Sequence, residues 1–167
     1  MKLQRPDDYH PWSTYVQARE EARALGDRRV GTDHLVLALL QEPAVAAALG
    51  CGPDRARATL YELDREALAP LGIELPATDP SPPQLPRDLR VRPRLKEVLH
   101  RRLPLTPAAK RALSESSREL RRGRRHPGPQ HVMQALLELR APDPAAELFR
   151  VLGIETVRAG ERLRAES

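Results

Sequence analysis

The chain has 167 residues, 40% of them hydrophobic but only 3% aromatic, with one cysteine and a net charge of +5. One cysteine excludes an internal disulfide and a cysteine-based metal cluster, and no apolar run approaches the ~20 residues needed to cross a bilayer. The length suits one domain, or two small halves sharing a core, and a core built mainly of Leu and Ala favours helices over strands.

Charge is unevenly placed. Residues 1–83 carry 9 Lys/Arg and 13 Asp/Glu, a net −4, whereas residues 84–167 carry 19 and 10, a net +9. A basic second half attracts nucleic acid, anionic peptide or an acidic protein surface, or simply forms a solvated face. Residues 1–8 are polar and acidic, without the apolar stretch of a signal peptide, so a cytoplasmic protein is expected.

Residues 1–9 read as a loose leader. His10-Pro11 can open a helix, because Pro is tolerated at the first helical position. Tyr15, Ala18, Ala22 and Leu25 then follow 3-4-3 spacing along one face, and Gly26 ends that helix. Residues 31–40, GTDHLVLALL, read as a second helix with Thr32 as its N-cap and Asp33 in the first turn, where a carboxylate suits the helix dipole. The residues after it are nearly all apolar, which predicts a helix covered on most sides. Pro43 breaks it, residues 44–49 form a short helix closed at Gly50, and Pro53-Asp54 start a fourth with Ala56, Leu60, Leu63 and Ala67 on one face. The lone Cys51 reads as a small apolar residue of the interior.

Residues 70–93 hold seven prolines, the composition of a semi-rigid spacer. Residues 95–103 suggest a short basic helix. Thr106-Pro107 is a further helix start, Thr as N-cap and Pro at N1, and Ala109, Ala112, Leu113 and Leu120 point to its core face. Gly123 ends that helix. Residues 128–139 repeat the earlier pattern, with His131 standing to Gly128 as His34 stands to Gly31. Pro142 and Pro144 break it, residues 145–152 form a short helix capped by Gly153, and residues 155–163 form the last one. The order long helix, Gly, motif helix, Pro break, short helix, Gly, final helix occurs twice, as an internal duplication would produce.

These motifs carry a resemblance. Ala18-Arg19-Glu20-Glu21-Ala22 through Leu25-Gly26, then Val30-Gly31-Thr32-Asp33-His34-Leu35 and Leu39-Leu40, resemble the first repeat of the Clp N-terminal domain. Leu105-Thr106-Pro107-Ala108-Ala109-Lys110-Arg111, then Gly128, His131, Leu136-Leu137 and Leu152-Gly153-Ile154, resemble the second. The resemblance implies an all-α domain over residues 10–165: two pseudo-symmetric four-helix repeats, about 10–70 and 104–165, joined by the Pro-rich linker of about 70–93. In that family the domain precedes an Hsp100 unfoldase motor, docking adaptors and receiving substrates. Here no Gly-x-x-x-x-Gly-Lys-Ser/Thr run occurs, so a free-standing domain without the ATPase modules is expected.

One branch of the family binds phosphoarginine in each repeat, through the Glu before the motif His and a Thr at the first helix start. A carboxylate pairs with the guanidinium while hydroxyls and helix N-termini receive the phosphate. The matching positions here are Asp33 and Gln130 for the Glu, and Asp8 and Thr106 for the Thr. Asp33 shortens the reach by one methylene, Gln130 loses the charge and Asp8 would repel phosphate, so the candidate ligand residues are Asp33, Thr106 and Gln130. Helix capping is the plainer role for Asp33 and Thr106.

His34 and His131 lack a second ligand at metal spacing and are expected to be hydrogen-bonded at helix starts. No catalytic constellation can be argued from spacing, and no cofactor, metal or enzymatic activity is expected. The leading expectation is a non-catalytic interaction module of the Clp proteolytic system. It would bind the unfoldase, its adaptors or its clients as adaptor, decoy or sequestering protein. Two alternatives stand beside it. One is nucleic-acid binding through Arg118, Arg121, Arg122, Arg124 and Arg125, which the absence of stacking aromatics in that segment disfavours. The other, by family analogy, is sequestration of small cyclic peptides aimed at Clp domains.

Overall fold

The computed structural model describes residue 9 and residues 11–75, 102–121 and 128–165; of residues 117 and 119–121 only the backbone is described. Among these residues the protein is all-α. The helices are α1 (Pro11–Leu25), α2 (Thr32–Leu39), α3 (Pro43–Leu49) and α4 (Pro53–Leu68), which runs into a single 3-10 turn at Ala69–Leu71. They continue with α5 (Pro107–Arg121), α6 (Pro129–Leu137), α7 (Pro144–Leu152) and α8 (Thr156–Ala165). No described helix is long and apolar enough to cross a membrane.

Prolines mark six of these starts as N1 residues, where the missing N–H has no helical partner to lose. This moves the starts of α3 and α7 back one residue from the sequence reading, onto Pro43 and Pro144 themselves. α3 and α7 end on Gly50 and Gly153, both left-handed, a backbone conformation that costs a glycine little. The linker expected from residue 70 begins with ordered backbone, since Pro70 lies inside the 3-10 turn and Gly72 closes it.

The core is centred on α2. All eight of its residues are buried, with Leu35, Val36, Leu37, Ala38 and Leu39 fully enclosed. It packs against α1, α4, α5, α6 and α7, while α3 packs on α6 and α8. Its mean composition therefore reflects its surroundings: a helix covered all round needs no polar face. Ala18 and Ala22 of α1, Ala109 and Ala112 of α5, and Phe149 of α7 complete the same apolar cluster, which also contains Cys51.

Polar ties cross between the early and late segments. Val30 N–H donates to Pro104 O and Thr106 N–H to Val30 O, both at 2.9 Å, forming an isolated parallel bridge between Val30 and Leu105. Tyr15 donates its hydroxyl to Leu103 O at 2.8 Å. Arg162 of α8 reaches Ala48 O of α3 at 3.4 Å.

Three details depart from the sequence reading. Tyr9, assigned to a loose leader, is buried and shares a 2.6 Å hydrogen bond with Thr14. Ala67, assigned to the core face of α4, is exposed, since the buried residues of α4 all lie between Ala56 and Tyr61. Arg102 and Leu103 are not helical; the rest of the proposed 95–103 helix, the helix end at Gly123 and the linker beyond residue 75 lie outside the described residues.

Candidate functional site

The starts of α2 and α6 are built alike. Gly31 is the N-cap of α2 and Gly128 the N-cap of α6, both with extended backbone. His34 Nδ1 accepts the Gly31 N–H at 2.9 Å, and His131 Nδ1 accepts the Gly128 N–H at 3.0 Å. The imidazole thus takes the part that Glu or Gln plays at the third helical position of a capping box. At each start the second helical side chain folds over the glycine: a Cβ on Gly31 would collide with the Asp33 carboxylate, and one on Gly128 with the Gln130 amide.

This corrects the assignment of Thr32 as N-cap. Thr32 is the first helical residue, and its hydroxyl leaves its own helix. It donates to Asp143 Oδ1 at 2.6 Å and accepts the Ala145 N–H at 3.4 Å, so it helps Asp143 cap α7. The hydroxyl does receive an orphan backbone N–H, but that of another helix.

Thr106 caps α5 by accepting the Ala109 N–H at 3.3 Å. Its backbone bond to Val30 sets it beside the first motif, one residue before Gly31. Asp33 is buried there against its own helix start, whereas half-buried Gln130 stands at the other cap, over Gly128. Below that second cap His131 borders a pocket of about 120 Å³ with Glu115, Gln134 and Glu138.

The two starts differ in charge. Around His34, Asp27 Oδ2 lies 3.1 Å from Nε2 and Asp33 Oδ1 lies 3.2 Å from Nδ1. Burial pushes the Asp33 carboxyl above the usual carboxylate range, although the charge of His34 opposes this. Burial alone would lower the His34 value, but the Asp27 carboxylate beside Nε2 and the charges of Asp33 and Glu21 outweigh it and hold the imidazole above its usual range. Asp64 of α4 is raised as well, by burial and then by Asp27 and Asp33. Glu21 is itself buried, in a two-pronged pair with Arg57 at 2.7 and 3.0 Å, and Arg57 also donates to Asp54 at 2.9 Å.

A groove of about 390 Å³ opens where α1 begins against α5. Trp12, half exposed and edge-on to Tyr15, lines it with Leu105 and Leu113, while Lys110, Ser114 and Arg118 form its polar wall. Lys110, Ser114 and Arg118 continue with Arg111 into a neighbouring depression along α5. This follows from the helical period: Ala109, Ala112, Leu113 and Ser116 face inward, so Lys110, Arg111, Ser114 and Arg118 face out. The groove can accept a chain segment that inserts an apolar side chain beside Trp12 and presents carboxylates to the cations.

Of the proposed basic patch, Arg118 is exposed and belongs to this groove. Arg121 lies on the last turn of α5 with its side chain outside the description, and Arg122, Arg124 and Arg125 lie outside the described residues. In the sequence Trp12, which lines the groove, reads as one more position of an amphipathic helix. Its place ahead of the core stripe that starts at Tyr15 was the available signal. Among the described residues no group of three or more His, Cys, Asp and Glu is arranged to hold a metal. No family model matches the chain.

Proposed function

We propose that this protein is a non-catalytic protein-interaction module, made of two pseudo-symmetric four-helix repeats (about 10–70 and 104–165) joined by the Pro-rich linker. In this reading it resembles the N-terminal domain of the Clp unfoldases and works in the cytoplasm as an adaptor, decoy or sequestering protein. Its partners are the unfoldase, its adaptors or its clients. The observation that carries the reading is the same Gly-x-x-His helix start occurring twice, Gly31 with His34 and Gly128 with His131. The Trp12 groove is the docking place this reading favours, because a half-exposed aromatic in a pocket flanked by Lys110 and Arg118 has the make-up of an interaction hot spot.

Affinity capture from native lysate tests it. The wild-type chain should retain Clp unfoldase, adaptor or client proteins, and Trp12→Ala with Lys110→Glu should release them. Capture of none of these would remove the Clp assignment. A small cyclic peptide is the second reading, favoured by a groove volume within the range of small-ligand sites. Titration of the groove with such a peptide, read by the fluorescence of the single tryptophan, separates the two.

A further inference from the structure

At the start of α2 two acceptors face each other. His34 Nδ1 receives the Gly31 N–H, so an imidazole with one proton carries it on Nε2, toward Asp27. Asp33 Oδ1 lies 3.2 Å from that same Nδ1. With Asp33 ionised and His34 singly protonated, both atoms offer only lone pairs at a separation suited to a hydrogen bond. Asp33 Oδ1 and His34 Nε2 are also shielded from water and lack a well-directed hydrogen bond, a costly state for buried polar atoms.

Among the described residues the groups that act on the imidazole are carboxylates. Glu21 of α1 faces the imidazole but is neutralised by Arg57 of α4. Asp27 comes from the turn after α1, whose Arg28 and Arg29 are exposed to solvent, and Asp64 comes from α4. Asp143 is held by Thr32 ahead of α7. The buried side chains of α5, α6 and α7, which also pack on α2, carry no titratable group among the described residues.

We propose that the start of α2 is a proton-dependent cap, in which the folded chain takes up one proton between His34 and Asp33 and switches the partners of both. In the proton-bound form His34 Nδ1–H donates to Asp33 Oδ1, which thereby gains a partner, while Nε2–H stays directed at Asp27 Oδ2 as in the proton-free form. Gly31 N–H is released from Nδ1 to the Asp33 carboxylate that already lies over it. In the proton-free form Gly31 N–H returns to Nδ1 and Asp33 Oδ1 is left opposite a lone pair. The α6 start, with Gln130 in place of the acid, has no such switch.

The direction of the pH effect follows from the raised folded-state value of His34. The folded chain keeps its proton where the unfolded chain has lost it. The added stability is therefore fully present below the ordinary histidine value of 6.5 and disappears as pH rises through the higher folded value. In the full-length chain, the His34 ring signals followed by NMR from pH 5 to 9 should titrate above 6.5, and the melting temperature should fall on the alkaline side by about 3 °C per pH unit. Asp33→Asn should flatten that slope and bring the His34 midpoint down. Should that variant fail to fold, Asp27→Asn, at a half-exposed position, should lower the His34 midpoint within an intact fold. A His34 midpoint at or below 6.5, a melting temperature independent of pH over this range, or an undiminished slope in Asp33→Asn overturns the proposal.

Discussion

Gly31 and Gly128 are glycines for a steric reason, not a conformational one. Their φ values of −90° and −114° suit any residue. What excludes a side chain is the Asp33 or Gln130 group folded over the α-carbon. Asp33 is buried and cannot swing away, whereas half-buried Gln130 has a longer, freer stem. Gly31→Ala should therefore destabilise by about 1–3 kcal/mol and Gly128→Ala by clearly less, since overpacking costs depend on how far the neighbour can yield. Urea midpoints of the two variants measure this, and equal losses would contradict the steric account. The Gly-x-x-His pattern was legible in the sequence because it is local. The role of Thr32 was not: its residue type suits an N-cap, but its hydroxyl is claimed by Asp143, 111 positions away.

At the level of elements, helix existence and limits were legible because this chain punctuates with Pro at the front and Gly at the back. The full burial of α2 was legible too, in an apolar run without a polar face. Pairings between helices were not, since nothing in the local pattern says that Glu21 of α1 will meet Arg57 of α4. That pair joins two buried side chains, 36 residues apart in sequence. Arg57→Leu should cost about 3–5 kcal/mol, because it strands the Glu21 carboxylate in the interior, and Glu21→Leu added to it should restore a good part of the loss. Thermal melts of the single and double variants decide the matter. A double variant as unstable as Arg57→Leu alone would mean that packing, not the stranded charge, sets the cost.

For the whole molecule, the helical class followed from a composition poor in aromatics, but the way the early and late helices share one core did not. α2 is covered by α5, α6 and α7, α4 meets α7, and α3 meets α8, while the Val30–Leu105 bridge and the Tyr15–Leu103 bond add polar ties between the segments. Such contacts depend on tertiary geometry that period and propensity do not encode. They also separate the Trp12 groove into two sequence-distant walls, one from the start of α1 and one from α5, so the groove cannot be read from either segment alone. Fragments 1–90 and 91–167 should each fail to fold when produced singly and should form a one-to-one complex when co-expressed. Circular dichroism with size-exclusion chromatography checks this, and an independently folded 1–90 fragment would refute it.

The enclosure of α2 has a consequence for truncated forms of this protein. A chain interrupted anywhere between α4 and α5 would carry Leu35, Val36, Leu37 and Leu39 without the helices that shield them. The product would be an aggregation-prone polypeptide for cellular quality control to remove. A premature stop two fifths of the way along, after every residue of the first motif has been made, is equivalent to losing the protein altogether.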